Sequence, residues 1–436
     1  MKIRSLFILA AIILSASCFA QESTDCRSEC RRLADREEMK KCIMDCAEKI
    51  KTATRAPEPK IIDLADGDGI GKKFIERKGN ESATTIRRRP GGGYVLCGSA
   101  MNAKTWVNDA FLMEIDDSGN QKTFEMFSLG DKFRSTCRAV SPLKDGRIAA
   151  AFSVYDPSID NLSIFLTRVN SNNESDWFLE LTEDGKNNYA SSLQTTDDGG
   201  FVFAGKADSF TKHKNDLFVA RVDEDKKTKW LLSAGTTDEI DEILSLEKTS
   251  DGGFIAAGYL YIQGKYTDFA AFKISAAGTK QWEFTHGYDY PDLGLSAVEV
   301  ENGNYVMSGM VFDAEDEKGE GFIHELVKFK DGKLVWKKRF NLGANRTMTS
   351  GVVRMTSDGN YLFTADIYDE NKNEATVIAK TNPAGSLLWS GVLKEPYFAD
   401  IATDPSGGFL VVYSSDSDQE NDVVVLKIDD SKIIQP

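Results

Sequence analysis

The 436-residue chain reads as all-β, a closed seven-bladed β-propeller of four-stranded blades, and three observations carry that expectation. A turn phrase recurs, as Asp198-Gly199-Gly200-Phe201 and Asp251-Gly252-Gly253-Phe254. The residue that follows the turn falls at Tyr94, Ile148, Phe201, Phe254, Tyr305, Tyr361 and Phe409, in steps of 54, 53, 53, 51, 56 and 48 residues. A fixed period of about fifty residues denotes an array of supersecondary units. An aromatic also closes six of the units, at Phe124, Trp177, Trp230, Trp282, Trp336 and Trp389. Finally, the two ends complement each other. The last unit lacks a full fourth strand, and a spare one stands at the front, Gly71-Lys72-Lys73-Phe74-Ile75. Joining them closes the ring and leaves no sheet edge open.

Taken in order, residues 1–20 form a signal peptide: Lys2 and Arg4, an apolar run from Leu6 to Leu14, then small residues up to Ala20. That run is too short to span a bilayer. Cleavage after Ala20 is one reading, and acylation of Cys18 as a lipoprotein anchor is the other; both export the chain.

Residues 21–52 carry Cys26, Cys30, Cys42 and Cys46 as two Cys-x3-Cys pairs. A spacing of four puts both cysteines of a pair on one helix face, and the segment between them is rich in good helix formers. Two antiparallel helices facing each other would join Cys26 to Cys46 and Cys30 to Cys42. A zinc site is the alternative, although structural zinc sites favour closer spacing. This segment resembles the twin Cys-x3-Cys helical hairpins of small disulfide-stapled proteins. Residues 53–60, with Pro57 and Pro59, read as a linker.

The propeller is assigned to residues 61–436. The unit from Glu242 to Gly287 shows its parts: a strand ending in the Asp-Gly-Gly turn, then Phe254 to Gly258, Asp268 to Ile274 and Lys280 to Phe284. Short apolar runs bounded by Gly and Asp turns are strands. Apolar residues at consecutive positions fit sheets packed on both faces. The tryptophan slot, on the outermost strand, is expected to pack between blades. Cys97 and Cys137, in adjacent units, are a candidate third disulfide of an exported chain. These units resemble the Asp-Gly-Gly-aromatic repeats of bacterial secreted and lipid-anchored propeller proteins, with strand edges like those of quinoprotein-like repeats. The resemblance speaks for the fold and little for function.

Chemistry is sparse. His213, His286 and His324 fall at different phases of the repeat, and no nucleophile–base signature accompanies them. An EF-hand beginning at Asp66 fails, because Ile70 and Arg77 stand where oxygen ligands are required. The acidic loops Asp313 to Gly321 and Ser414 to Asp422 read as solvated, so no cofactor is expected, with calcium as the alternative. A net charge of −15 argues against nucleic-acid and anionic-membrane partners.

In such a ring the turns joining strands one–two and three–four share one face; the longer two–three and four–one connections share the other. The long connections carry Trp106, Tyr155, Tyr261, Tyr266, Tyr288, Asp289, Tyr290 and Tyr368, which are the candidate ligand contacts. The expected function is an exported, non-enzymatic binding or scaffold protein recognising a protein, peptide or glycan. A hydrolase or lyase with carboxylates at the funnel, and a structural envelope protein, are the alternatives.

Overall fold

The computed structural model describes residues 62–63, 70–75 and 80–430, apart from 171, 173, 184, 236–238, 313–321, 341, 343–350, 369–373, 395–396 and 416–421, together with 433. Of residues 62–63, 70–75, 302, 368 and 397 it describes the backbone alone. The signal segment, Cys18 and the four hairpin cysteines lie outside the described residues, as do Asp66, Arg77 and nearly all of the two acidic loops.

Seven antiparallel sheets are present, as the period predicts. Blade four shows the local logic. Its strands Glu242–Lys248, Phe254–Tyr261, Thr267–Ile274 and Lys280–His286 pair in sequence order from the axis outward. Gly252 has φ +79°, the left-handed value that glycine adopts without steric penalty, so the chain reverses within the Asp-Gly-Gly turn. The middle strands are buried through consecutive residues, whereas the outermost one alternates toward solvent. A strand with no solvent face needs neighbours on both sides. The apolar core is accordingly divided into seven clusters, one at each boundary between blades.

The tryptophan slot packs between blades as anticipated. Trp177 lies 4.6 Å from Phe201 of the next blade, and its Nε1–H donates to the Glu224 carbonyl at 2.7 Å. Trp282 meets Tyr305 edge-on at 5.2 Å, and the Trp389 Nε1–H donates to Asp430 at 3.0 Å.

Ring closure also follows expectation. Ile70–Ile75 pairs antiparallel with Val423–Ile428, with Phe74 opposite Val424, and completes blade seven. Ile433 takes no strand position; it lies half-buried against the same blade. One element has no sign in the repeat: Ile62–Asp63 runs parallel to Leu387–Leu393 and gives blade six a fifth, two-residue strand.

A second feature shapes the axis. Six inner strands carry a bulge at one register, at Thr84, Arg138, Ser191, Leu244, Leu295 and Ala399. A bulge bends the strand and re-aims a side chain. It also drives a carbonyl toward the neighbouring strand. A Cβ on Gly258 would stand 1.9 Å from the Glu242 carbonyl oxygen, and one on Gly205 would stand 2.0 Å from that of Tyr189. In blades one, three, four and five the glycine that ends the repeat phrase is therefore the counterpart of the bulge.

Cys97 and Cys137 form a disulfide between the second strand of blade one and the inner strand of blade two, with Cα atoms 5.6 Å apart and both residues fully buried.

Two outcomes follow. Deleting residues 61–79 exposes the open edge of Val423–Ile428 and is expected to lower the melting temperature by more than about 10 °C, read by circular dichroism; several kcal/mol at ~2–4 °C per kcal/mol sets that scale. Non-reducing peptide mapping should recover the Cys97–Cys137 pair. Replacing both by Ala should cost ~2–4 kcal/mol in denaturant unfolding.

Candidate binding face and axial cup

Because all seven inner strands run the same way along the axis, the two–three and four–one connections gather on one face. Trp106 ends one such connection in blade one. It is 77% exposed and sits at φ +59°, outside the regions that side-chain-bearing residues prefer. The turn is held by Trp106 N–H to the Asn102 carbonyl at 2.8 Å, and by Asn102 Nδ2 to Asp109 at 2.7 Å. An indole is thus held out in solvent by a braced backbone.

The aromatics around blades four and five divide into two groups. Tyr266 and Tyr290 come from consecutive connections, stand parallel with centroids 6.5 Å apart, and are 50% and 41% exposed. Tyr290 is seated on Phe312 at 4.6 Å. Asp289 is exposed beside it in sequence. Tyr288 behaves differently, because it is half-buried in a polar cluster between blades. Lys337 and the Arg339 guanidinium each lie 4.6 Å from its ring centroid, and its hydroxyl donates to Glu325 at 3.0 Å. Glu325 is fully buried and also binds His286 Nε2 at 2.6 Å and Arg339 Nε at 3.1 Å. Tyr288 is therefore as much a blade-to-blade tie as a surface residue. Tyr261 is half-buried, Tyr155 donates to Asp160 at 2.8 Å, and the Tyr368 side chain lies outside the described ones.

Buried aspartates position these loops. Asp241 accepts the Tyr261 N–H at 2.5 Å, and Asp292 accepts the N–H groups of Tyr288 and Phe312. Gly235 and Gly287 leave room for the carboxylates of Asp216 and Asp268, each of which a Cβ would strike at about 2 Å. Burial, chiefly, pushes Asp241 and Asp292 up to about 6, and the neighbouring Asp216 and Asp268 add to the rise.

At the axis lies a cup of about 330 Å³ lined by all seven inner strands or the segments that lead into them. Tyr189 and Phe398, early in their strands, stand toward its long-loop end; Arg87 and Arg354, late in theirs, form its floor, toward the short-turn end. The floor is a charge network from four blades. Arg87 and Arg354 both bind Asp400, the latter at 2.8 Å, and both approach Glu247, at 3.7 and 3.9 Å. Thr85 also donates to Asp400 at 2.8 Å. Burial pushes the Asp400 carboxyl up, but Arg354 and Arg87 outweigh it and hold the group below the usual carboxylate range. Two carboxylates thus do meet at the axis, but as members of a clamp. A carboxylate locked in its ionised form by two guanidiniums is poorly matched to proton transfer.

The other histidines are accounted for locally. His324 is buried and stacked on Phe363 at 4.9 Å, and burial lowers it to about 3, so it is neutral. His213 donates its backbone N–H to Asp216 at 2.8 Å. Among the described residues no group of three or more His, Cys, Asp or Glu is arranged to hold a metal ion, and no helix is long and apolar enough to cross a membrane.

Sequence reading did not reach the cup. Arg138, Ser191, Leu244 and Leu295 line it because each sits at a bulge. For blades one, three, four and five the available signal was the glycine within the second strand, at Gly98, Gly205, Gly258 and Gly309, since glycine in a strand marks a bulge or a close backbone approach. Blade two carries Phe152 there, so Arg138 had no such signal.

The aspartates give a pH test. An acid whose folded pKa lies above its unfolded value holds its proton more tightly when folded. The stabilisation is full below the unfolded value of 3.8 and is lost as pH rises through about 6. The depressed carboxylates, Asp251, Asp358 and Asp400, work oppositely and only below 3.8. Stability should therefore fall between pH 5 and pH 7, on the order of 1–2 kcal/mol per raised group. Asp241→Asn with Asp292→Asn should flatten that slope in a pH series of thermal melts.

No family model matches the chain, and no curated protein matches it. Among solved structures, the chain is similar to the Pan2 WD40 domain of Neurospora crassa, at 13% identity over 86% of this chain and 99% of that one, with a TM-score of 0.51. A protein of unknown function from Dyadobacter fermentans covers 83% of this chain and 100% of its own, at 13% identity and a TM-score of 0.49. At 13% identity the likeness to the WD40 domain is one of fold alone.

Proposed function

We propose that the protein is an exported, non-enzymatic binding or scaffold propeller that recognises a protein, peptide or glycan through its long-loop face. The observation that carries this reading is the parallel, exposed Tyr266–Tyr290 pair. Tyrosine offers contact area and a hydroxyl at little entropic cost, which is what a recognition surface requires. Trp106, held at a left-handed backbone angle on the same face, adds a second anchor. Export is supported by the charged, apolar and small-residue segments of residues 1–20, and by a disulfide, which persists in oxidising compartments. The hairpin of residues 21–52 would then serve as a cap, a docking element or, with an acylated Cys18, an envelope tether. The arginine-locked carboxylates of the cup weigh against the hydrolase or lyase reading.

Screening the full chain on peptide and glycan arrays tests the proposal. Bound ligands should lose roughly tenfold or more in affinity on Tyr266→Ala with Tyr290→Ala, the scale of an aromatic anchor, while the melting temperature moves by less than ~2 °C. Arrays without a ligand, or affinities equal in parent and variant, would overturn it. Tyr288 is left intact because its removal would also open the Glu325 cluster.

A further inference from the structure

The cup contains one cation that its own walls leave unmatched. Arg87 and Arg354 are both spent on Asp400 and Glu247. Arg138, at the bulge of blade two, has no carboxylate partner among the described residues. Its guanidinium lies 5.1 Å from the ring centroid of Tyr189, a second cup residue. Its Nε is shielded from solvent and has no hydrogen-bond partner among the described residues. Leaving such a donor unsatisfied carries a cost, which a ligand oxygen would recover. Across the cup, the Ser245 hydroxyl accepts the Ala297 N–H at 3.1 Å and keeps its own proton to donate.

We infer that the axial cup is a binding site for a single carboxylate, received by the guanidinium of Arg138 as the side chain turns its Nε–Nη edge toward the cup. Three guanidiniums and two carboxylates leave one net positive charge at the axis. One carboxylate cancels it, whereas a dianionic phosphate would leave a negative charge uncompensated beside Asp400 and Glu247. Arginine presents two parallel N–H donors that match a carboxylate. The chain as a whole, at −15, repels anions at long range. Recognition is therefore local, and it favours a ligand with one acidic group on a neutral body. This rests on the reading of the long-loop face as the binding face. The carboxylate is either the C-terminus of a peptide or the acid of a uronate sugar.

The test uses the full chain and three probes: N-acetyl-tetraalanine with a free C-terminus, the same peptide as its C-terminal amide, and a trigalacturonate. The Arg138 Nε–Hε signal is identified by ¹H–¹⁵N NMR as the one that disappears in Arg138→Lys. At least one carboxylate probe should shift it saturably, with the tighter of the two naming the source, and the amide should not. Arg138→Gln should weaken that probe roughly tenfold or more, the scale of a charge-assisted hydrogen bond, with the fold intact by circular dichroism. A shift equal for acid and amide, no shift from any probe, or binding unchanged in Arg138→Gln would overturn the inference. The Tyr266→Ala, Tyr290→Ala variant should retain the small-probe shift in full. Array ligands that need the tyrosines but bind equally as acid and amide would defeat the cup and leave the face standing; a shift without array ligands would do the reverse.

Discussion

Everything in this molecule rests on the hydrogen-bonded pairing of Ile70–Ile75 with Val423–Ile428. The middle strands of each blade are apolar on both faces, so no blade is stable without two neighbours. Only a closed ring provides two neighbours for all seven. Closure in turn crowds seven strands around one axis. The crowding is relieved by bulges, which in four blades turn carbonyls outward onto glycines of the second strands and in all six turn side chains inward onto the cup. The recurrent glycine, the bulge and the cup are thus successive results of one geometric demand.

Placing charge in that crowded centre is costly, and the way the cost is met distinguishes the residues. Asp400 is fully enclosed and satisfied by Arg354, Arg87, Thr85 and backbone N–H groups, so it fixes blades one, six and seven to one another. Asp241 and Asp292 do comparable work for the loops, but next to other carboxylates instead of cations. Their N–H bonds to the connections bearing Tyr261 and Tyr288 favour the ionised form, but burial outweighs them and keeps the proton on up to about pH 6. The floor of the cup is rigid over the ordinary pH range, while the rim is tied by groups that titrate near 6.

The fold was legible in the sequence because a period is a property of the chain alone. Phe74 opposite Val424 could be anticipated because the first and last units each lacked what the other carried. Trp177 and Trp282 were correctly read as blade-to-blade packing from their outer-strand phase. The site was far less legible. Tyr266 and Tyr290 could be placed together because one connection joins their blades, but Tyr288, two residues away, turns into a cluster with Glu325 and Arg339. Nothing local marks that partnership, since Glu325 is 37 residues downstream of Tyr288. Arg138 was missed for a similar reason. Its neighbours in the cup come from six other units, and only the bulge directs it there.

The disulfide has a mechanical consequence. The seam of the ring lies between the outer strand of blade seven, supplied by the front of the chain, and the rest of that blade. The same front segment leads directly into blade one. A pull on the N-terminal side would strip the two-residue Ile62–Asp63 pairing from blade six, then peel the seam strand, and then load blade one, which would be the next unit to come away. Cys97–Cys137 joins blade one to blade two through their buried strands. Fraying is thereby arrested one blade from the seam, and the remaining barrier belongs to a two-blade unit. Against a force applied at the front end, this is where a covalent bond resists best.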